Sequence, residues 1–252
     1  MKYREYCPHI LLTPYIEAYW TVSGFVEKEE HHKILPDGCV DIIFSLEETS
    51  HQSGLKSMFP NIVGTMTTYL EGSYLNNISL LGIRFKPAGF TAFTQIPIYE
   101  FTDQRIDLTS IESLFDEEFY YELPSKETAE KRIQEIDKYF LKRLKNIFKL
   151  DQQIVYAIEL IRQTEGKLSL MTVASESCLS IRHFERRFKT AIGIAPKTFS
   201  KVVKFQHTLS YLKKNNHLSI ISLAIDCGYY DQAHLIKDFK SLSGNPPSHF
   251  KL

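Results

Sequence analysis

The 252-residue sequence is poor in cysteine and contains a single tryptophan. Its four cysteines, Cys7, Cys39, Cys178 and Cys227, show no Cys-x-x-Cys spacing. They are too few to frame a chain of this length with disulfides, and this favours a reducing, cytoplasmic location. No run without a charged residue exceeds 14 residues, and residues 1–20 lack a basic segment followed by an apolar one. We therefore expect neither a membrane span nor an export signal.

Motifs of common enzyme classes are also missing. The chain contains no Gly-x-Ser-x-Gly, Gly-x-Gly-x-x-Gly, P-loop or His-Glu-x-x-His pattern. His31 and His32, near Asp37 and Cys39, could suggest a metal site, but adjacent side chains on a strand point to opposite faces. We interpret them as surface histidines in a loop, and we predict no enzymatic activity, metal or cofactor. A metabolite-binding β-domain enzyme with a helical accessory domain is the alternative.

Charge is divided unevenly along a chain whose net charge is zero. Residues 1–141 contain 12 Lys or Arg and 22 Asp or Glu, whereas residues 142–252 contain 18 and 8, which gives −10 and +10. A basic region neutralises nucleic-acid phosphates, and an acidic region repels them. The asymmetry favours DNA binding by the C-terminal region, although a solvated basic face gives the same count. Opposite charges also make docking between the two regions conceivable.

The first hundred residues contain short β-rich runs separated by Pro and Gly, at positions 18–26, 39–46, 61–65 and 78–85. This pattern predicts a β-barrel or sandwich. Arg84, in an otherwise apolar run, requires an anionic partner, either a protein carboxylate or a bound effector.

An amphipathic helix is predicted between residues 125 and 150. Apolar residues recur there every three or four positions, at Ile133, Ile136, Phe140, Leu144 and Ile147. This linker helix packs either on the β-domain or against its copy in a dimer.

An internal repeat occupies residues 151–252, which are predicted to be helical throughout. Three residues recur at a spacing of 51 and two more at a spacing of 50. The pairs are Gly193 and Gly244, Pro196 and Pro247, Phe199 and Phe250, Ala174 and Ala224, and Cys178 and Gly228. Such self-similarity indicates two copies of one helical unit.

Each copy has the residue pattern of a helix-turn-helix, with a small residue where the helices cross, a turn residue four positions later, and apolar anchors on the second helix. The predicted anchors are Ile181, Phe184 and Phe188 in the first copy and Leu235, Phe239 and Leu242 in the second. Ser180 and Asp231 are predicted to cap these second helices, which we call the reader helices.

The opposite face of each reader helix carries the candidate DNA-binding residues. They are Arg182, Glu185, Arg186 and Lys189 in the first reader and Gln232, Ala233, Lys237 and Lys240 in the second. Arg and Lys pair with guanine, and Gln with adenine, in the major groove. A polar stripe often meets only water. Two readers joined by a helix over residues 196–214, however, can enter major-groove segments roughly 34 Å apart, which packing alone does not require.

The copies LSLMTVASESCLSIRHFERRFKTAIGIAPKTF and LSIISLAIDCGYYDQAHLIKDFKSLSGNPPSHF resemble the paired helix-turn-helix units of the AraC/XylS family of transcriptional regulators. The resemblance covers about residues 151–252. It implies base-edge contacts from Arg182, Glu185 and Arg186 and from Gln232, Ala233 and Lys237. Cys178 departs from the pattern, since glycine is frequent there. A left-handed backbone at this position would cost cysteine about 1 kcal/mol.

The N-terminal half is similar, more weakly, to the β-rich sensor domain of some AraC-type regulators. The segments that carry this likeness are YIEAYW (15–20), LPDG (35–38), VGTMT (63–67) and GIRFKP (82–87). The likeness implies a cupin-like fold with an effector inside the β-domain, but no motif identifies that effector.

We therefore predict an α+β protein in three parts: a β-barrel or cupin-like sensor domain over residues 1–110, a helical linker over 111–150, and a DNA-binding domain over 151–252. The predicted partners are double-stranded promoter DNA, a small-molecule effector, RNA polymerase and a second copy of the chain. A non-enzymatic adaptor that binds protein through the helical repeat is a third hypothesis, and it predicts no DNA affinity at low salt.

Overall fold

The N-terminal half is built on an antiparallel sheet. The computed structural model describes residues 1–46, 60–108, 114–115 and 117–251. Its strands are β1 (Lys2–Tyr6), β2 (Ile16–Ile34), β3 (Val40–Ser45), β4 (Pro60–Val63), β5 (Leu70–Phe85) and β6 (Arg105–Asp107). They form one six-stranded sheet in the order β1-β2-β5-β3-β4-β6, with antiparallel pairing throughout.

Helices make up the second half. They are α1 (Glu117–Ser125), α2 (Ala129–Arg143), α3 (Gln152–Gln163), α4 (Leu170–Glu176), α5 (Ile181–Ile192), α6 (Pro196–Lys214), α7 (Ile220–Asp226) and α8 (Gln232–Ser243). Within the described ranges, no helix combines the length and apolar composition that a membrane crossing requires. The β-rich first half and helical second half confirm the predicted α+β class. The cupin-like relationship and the division into three parts stay predictions, and the boundary at residues 110–111 lies outside the described residues.

The predicted runs 18–26 and 78–85 are parts of two much longer strands, β2 and β5, which pair along their length with a register shift between Val26 and Glu30. His31 and His32 lie in β2, so their assignment to a loop was wrong. The ring of His32 stacks on that of Tyr74, with 3.9 Å between centroids. The polar run EKEEHHK masks this extension of the strand, because it lacks the apolar alternation that identifies a half-buried strand.

The predicted linker helix is observed as α2, and it belongs to the core of the sheet. Ile133, Ile136 and Phe140 are buried in the same cluster as strand residues such as Phe85. The rings of Phe85 and Phe140 lie 5.8 Å apart in an edge-on arrangement. Packing within the chain is therefore confirmed, and this apolar face is not available for a dimer.

Helix α6 connects the two helix-turn-helix units and contributes side chains to the cores of both. Phe199 packs in the first core, and Val202 and Phe205 pack in the second. Five of the six predicted anchors are fully buried, namely Phe184, Phe188, Leu235, Phe239 and Leu242. Ile181 is wrong, since it is 42% exposed. It follows the capping residue Ser180 directly and lies in the first turn of α5, beyond the edge of the core.

Arg84 lies in a cluster of charges between strands. Its Nε is 3.3 Å from Asp41 Oδ1 and 3.4 Å from Asp37 Oδ2, so its partners are protein carboxylates. The Nε1 of Trp20 donates a hydrogen bond of 2.7 Å to Asp41. Burial and the nearby Asp37 together raise the pKa of Asp41 to about 6, against the opposing effects of Arg84 and of the Trp20 hydrogen bond.

The turn of the first unit has a left-handed backbone at Cys178, where φ is 55°. The matching Gly228 of the second unit has φ of 73°. The backbone at Cys178 is therefore left-handed, and this conformation is strained for a residue with a Cβ atom. The Cys178 side chain is exposed, so no buried contact offsets the strain.

Because Trp20 is the single tryptophan, its fluorescence reports on Asp41. We expect emission to titrate with a midpoint near pH 6. The folded protein binds this proton more tightly than the unfolded chain, so the free energy of unfolding falls as the pH rises from about 4 to 6. Asp41→Asn should abolish the transition, and Asp37→Asn should lower its midpoint by removing a repulsive charge. A wild-type midpoint at pH 4 or below would contradict this account.

Replacing Cys178 with glycine should raise the free energy of unfolding by up to about 1 kcal/mol, because glycine adopts positive φ without steric cost. Urea denaturation of the wild-type and variant proteins measures this. Cys178→Ala is the matched control, and it should leave stability nearly unchanged because it keeps the Cβ atom. Equal stabilities for the glycine and alanine variants would show that the turn is not strained.

Candidate DNA-binding site

The first reader helix, α5, begins at a side-chain cap. Ser180 Oγ accepts a hydrogen bond from the backbone N–H of His183. The shorter helix α4 begins in the same way at Ser169, which accepts from Thr172. These caps satisfy N–H groups that have no partner within the helix, and they fix where each helix starts.

The second reader helix, α8, repeats this construction. Asp231 accepts a 2.7 Å hydrogen bond from the N–H of His234, which confirms the predicted cap. The ring of His234 meets that of Tyr229 edge-on at 5.3 Å, and its Nε2 lies 3.6 Å from Asp238. His234 therefore packs within its own unit.

All eight predicted DNA-binding residues are exposed in the structure. They are Arg182, Glu185, Arg186, Lys189, Gln232, Ala233, Lys237 and Lys240. Lys189 differs from the others of the first reader because its Nζ lies 5.8 Å from the ring centroid of Tyr99, a residue of the N-terminal half. Of the four candidates on α5, Arg182, Glu185 and Arg186 lie nearest its N-terminus, and this is the end of a recognition helix that meets base edges.

One basic residue of the first reader has a structural role instead. Arg187 Nε donates to Asp151 Oδ2 at 2.8 Å, and its Nη1 donates to Gln153 at 2.8 Å. Asp151 also caps α3. The hydrogen bond to Asp151 raises the pKa of Arg187 above its ordinary value. This guanidinium holds α5 to α3 and is not part of the exposed stripe.

The C-terminal end of the first reader is bound by the N-terminal half. Thr65 Oγ1 donates a buried 2.6 Å hydrogen bond to the carbonyl of Ile192. Thr102 Oγ1 donates a 3.0 Å hydrogen bond to the carbonyl of Gly193. The last carbonyls of a helix have no donor within it, and both threonines supply one.

The second reader is bound at its equivalent end. Thr68 Oγ1 donates to the carbonyl of Ser241 at 2.9 Å, and Lys33 Nζ donates to the carbonyl of Ser243 at 3.3 Å. A cation is favourable here because the C-terminus of a helix carries partial negative charge. Both reader helices thus end on the same body, the N-terminal half of the chain.

The repeated glycines Gly193 and Gly244 allow side chains of the N-terminal half to come close to the ends of the reader helices. A Cβ atom at Gly193 would lie 2.7 Å from Thr102 Oγ1, and one at Gly244 would lie 2.7 Å from Lys33 Nζ. Both residues also have positive φ, at 94° and 72°. The sequence marked these glycines through the repeat, but it gave no sign of the threonines and the lysine that contact them.

Further contacts join the halves along α6 and α3. Gln206 Nε2 donates a 2.6 Å hydrogen bond to the carbonyl of Pro36. Gly38 lies against the Phe199 ring, where a Cβ atom would come within 2.6 Å of ring carbon Cε2. Arg162 pairs with Glu17 at 3.5 Å. The interface is therefore made mainly by packing and by hydrogen bonds to backbone carbonyls.

Two domain families match the chain. Residues 4–107 match a domain of unknown function (DUF6597), and residues 173–252 match a helix-turn-helix domain. An uncharacterized HTH-type transcriptional regulator of Haemophilus influenzae is 28% identical over 94 residues, which cover 37% of this chain and 31% of that protein. The chain thus matches about a third of the length of this relative.

A solved structure of ToxT from Vibrio cholerae aligns with 92% of this chain and 97% of its own, with a TM-score of 0.52 and 10% identity. At this identity the likeness concerns the fold, which places a β-rich region before a helical one. The match over residues 173–252 confirms that the repeated region is a helix-turn-helix domain. The chain carries an AraC-type helix-turn-helix domain, as its resemblance to the AraC/XylS family implied, and this domain follows an N-terminal domain of the family DUF6597.

Proposed function

We propose that the protein is a sequence-specific transcriptional regulator, without enzymatic activity, that reads promoter DNA with α5 and α8. The observation that carries this proposal is that both readers expose their polar stripes while both C-terminal ends are held. Helix α6, with 19 residues, is about 28 Å long. Units at its two ends are suited to major-groove segments roughly 34 Å apart.

Base reading is assigned to Arg182, Glu185 and Arg186 on the first reader and to Gln232 and Ala233 on the second. Arg182 and Arg186 are the candidates for guanine contacts because both are exposed and, in the described residues, no ion pair occupies either guanidinium. Lys189 and Lys240, in the last turns of the readers, are better placed for phosphates, which position a protein without reading sequence.

The N-terminal half, we infer, controls DNA reading by fixing the angle between the readers. Hydrogen-bond donors of the N-terminal half bind the C-terminal ends of α5 and α8. A shift of the N-terminal half would therefore move the two readers relative to each other. An effector could act at the junction of the halves, in a cleft of about 560 Å³. Tyr15 and Lys86 of the N-terminal half line this cleft together with Phe148 of the connecting segment and Arg162 of α3. RNA polymerase and a second copy of the chain remain predicted partners.

The first test compares binding of the full chain to the DNA upstream of its own coding sequence and to scrambled DNA. Arg186→Ala should reduce discrimination by about 1 to 3 kcal/mol at one base pair, because alanine cannot form the two parallel hydrogen bonds to a base. Fluorescence anisotropy on single-base variants of the target measures this. Arg4→Ala, an exposed arginine on β1, is the control and should change nothing. Equal weakening on every sequence would refute base reading by Arg186.

Control by the N-terminal half is tested with DNA of altered spacing. Two extra base pairs between the half-sites rotate one by about 70°, and the wild-type protein should lose most of its specific affinity. The double variant Thr65→Val and Thr102→Val removes both hydroxyl donors at the C-terminal end of α5 and keeps the side-chain volume nearly constant. This variant should tolerate the altered spacing better, with a penalty at least about threefold smaller (~0.6 kcal/mol).

The matched control for the spacing experiment is Thr190→Val, which removes a hydroxyl that bonds only within α5, to the carbonyl of Arg186. It should keep the wild-type dependence on spacing. If the wild-type protein and the double valine variant lose the same affinity on DNA of altered spacing, the Thr65 and Thr102 hydroxyls do not set the angle between the readers.

A further inference from the structure

A groove of about 730 Å³ lies between the two helix-turn-helix units. It is bounded by residues 166–170 of the first unit, by the first half of α6, and by α8 of the second unit. Five lysines line it: Lys167, Lys197, Lys201, Lys204 and Lys237. Lys237 also belongs to the exposed stripe of α8, so the groove is continuous with the face of the second reader.

The positive charge of the groove is only partly neutralised. Asp238, which also lines it, is occupied by Lys201 at 3.0 Å. Lys204 donates to the carbonyl of Gly228 at 3.2 Å. Lys167 pairs with Glu165 at 2.5 Å. Burial lowers the pKa of Lys204, and the nearby Lys167 lowers it further against the opposing effect of Asp238. Within the described part of the chain, Lys197 and Lys237 form no ion pair. An anion in the groove would relieve this repulsion.

A polar group in the wall of the groove also lacks a partner. Ser200 is 9% exposed, and its buried Oγ makes no hydrogen bond within the described residues. A buried hydroxyl without a partner is unfavourable, and a bound ion is one group that can supply the missing partner. A bound oxyanion can accept a hydrogen bond from a hydroxyl and from several ammonium groups.

We propose that this groove binds the phosphodiester backbone of DNA between the two half-sites. When two readers occupy successive major-groove segments, the strands that flank the intervening minor groove pass between the units, where the groove lies. This inference rests on the proposed function and deepens it. It assigns Lys197, Lys204 and Lys237 to phosphates, so Lys237 holds the backbone instead of reading a base edge.

The test is a salt series of DNA affinities for the full chain and for the triple variant Lys197→Gln, Lys204→Gln and Lys237→Gln. The variant should bind target and scrambled DNA about tenfold or more weaker, with their ratio unchanged. The slope of log affinity against log salt should fall by about 0.9 for each phosphate that the variant no longer neutralises. A matched triple of exposed lysines outside the groove, Lys145→Gln, Lys213→Gln and Lys214→Gln, should keep most of the affinity and the slope.

A neutral-backbone experiment locates the contact on the DNA. After footprinting has identified the half-sites, methylphosphonates replace the phosphates between them. The wild-type protein should lose affinity for this duplex, whereas the triple variant should bind it and the natural duplex equally. Equal losses for the two proteins would overturn the proposal, because the lysines would then act elsewhere.

The outcomes separate the two proposals. A wild-type protein that prefers its target, together with a triple variant of unchanged affinity and slope, would refute the groove and leave the regulator intact. A wild-type protein without sequence preference would refute the regulator, whatever its salt slope. Inorganic phosphate tests whether the groove binds a free anion instead of DNA. If it raises the melting temperature of the wild-type protein but not of the triple variant, while both show the same salt slope on DNA, the groove holds a free anion and the proposal fails.

Discussion

The carbonyl groups at the C-terminal ends of the two reader helices are the points on which the arrangement of the halves depends. A helix leaves its last carbonyls without donors and concentrates partial negative charge there. Three threonine hydroxyls and one ammonium group supply the missing donors, and all four belong to the N-terminal half. The readers are therefore related to each other through that half as well as through α6. A change in either link would therefore alter the angle between the two reader helices.

The repeated glycines show how one residue serves two purposes at this interface. Gly193 and Gly244 end their helices with positive φ, which is a common way for a helix to stop. They also lack the Cβ atom that would collide with Thr102 and Lys33. Only the first purpose can be predicted from the sequence, because the second depends on residues about 90 and 210 positions away. The same spacing in both units is what allows one body to contact both readers.

The helical half could be predicted well because its signals are local and occur twice. The repeat and the caps at Ser180 and Asp231 follow from short spacings, and the repeat also pairs Cys178 with Gly228, which marks the turn. The β-rich half was predicted less completely. The strands β1 and β6 were missed, and the extension of β2 through His31 was assigned to a loop, since short or polar strands lack an apolar alternation. The docking of the halves was beyond prediction, because hydroxyls such as that of Thr65 occur in most loops.

Salt should affect the docking of the two halves and the binding of DNA differently, because the contacts between the halves are mostly uncharged. Opposite net charges of −10 and +10 made electrostatic docking of the halves conceivable, but most of the observed contacts join neutral hydroxyl or amide groups to backbone carbonyls, together with apolar packing around Phe199. Such contacts are screened far less by ions than the exposed pair Arg162–Glu17. The proposed DNA binding by the basic readers and the groove would depend on counterion release and would be steeply sensitive to salt. Ionic strength should therefore tune DNA affinity while the reader helices stay docked, so that affinity and reader geometry are controlled by different interactions.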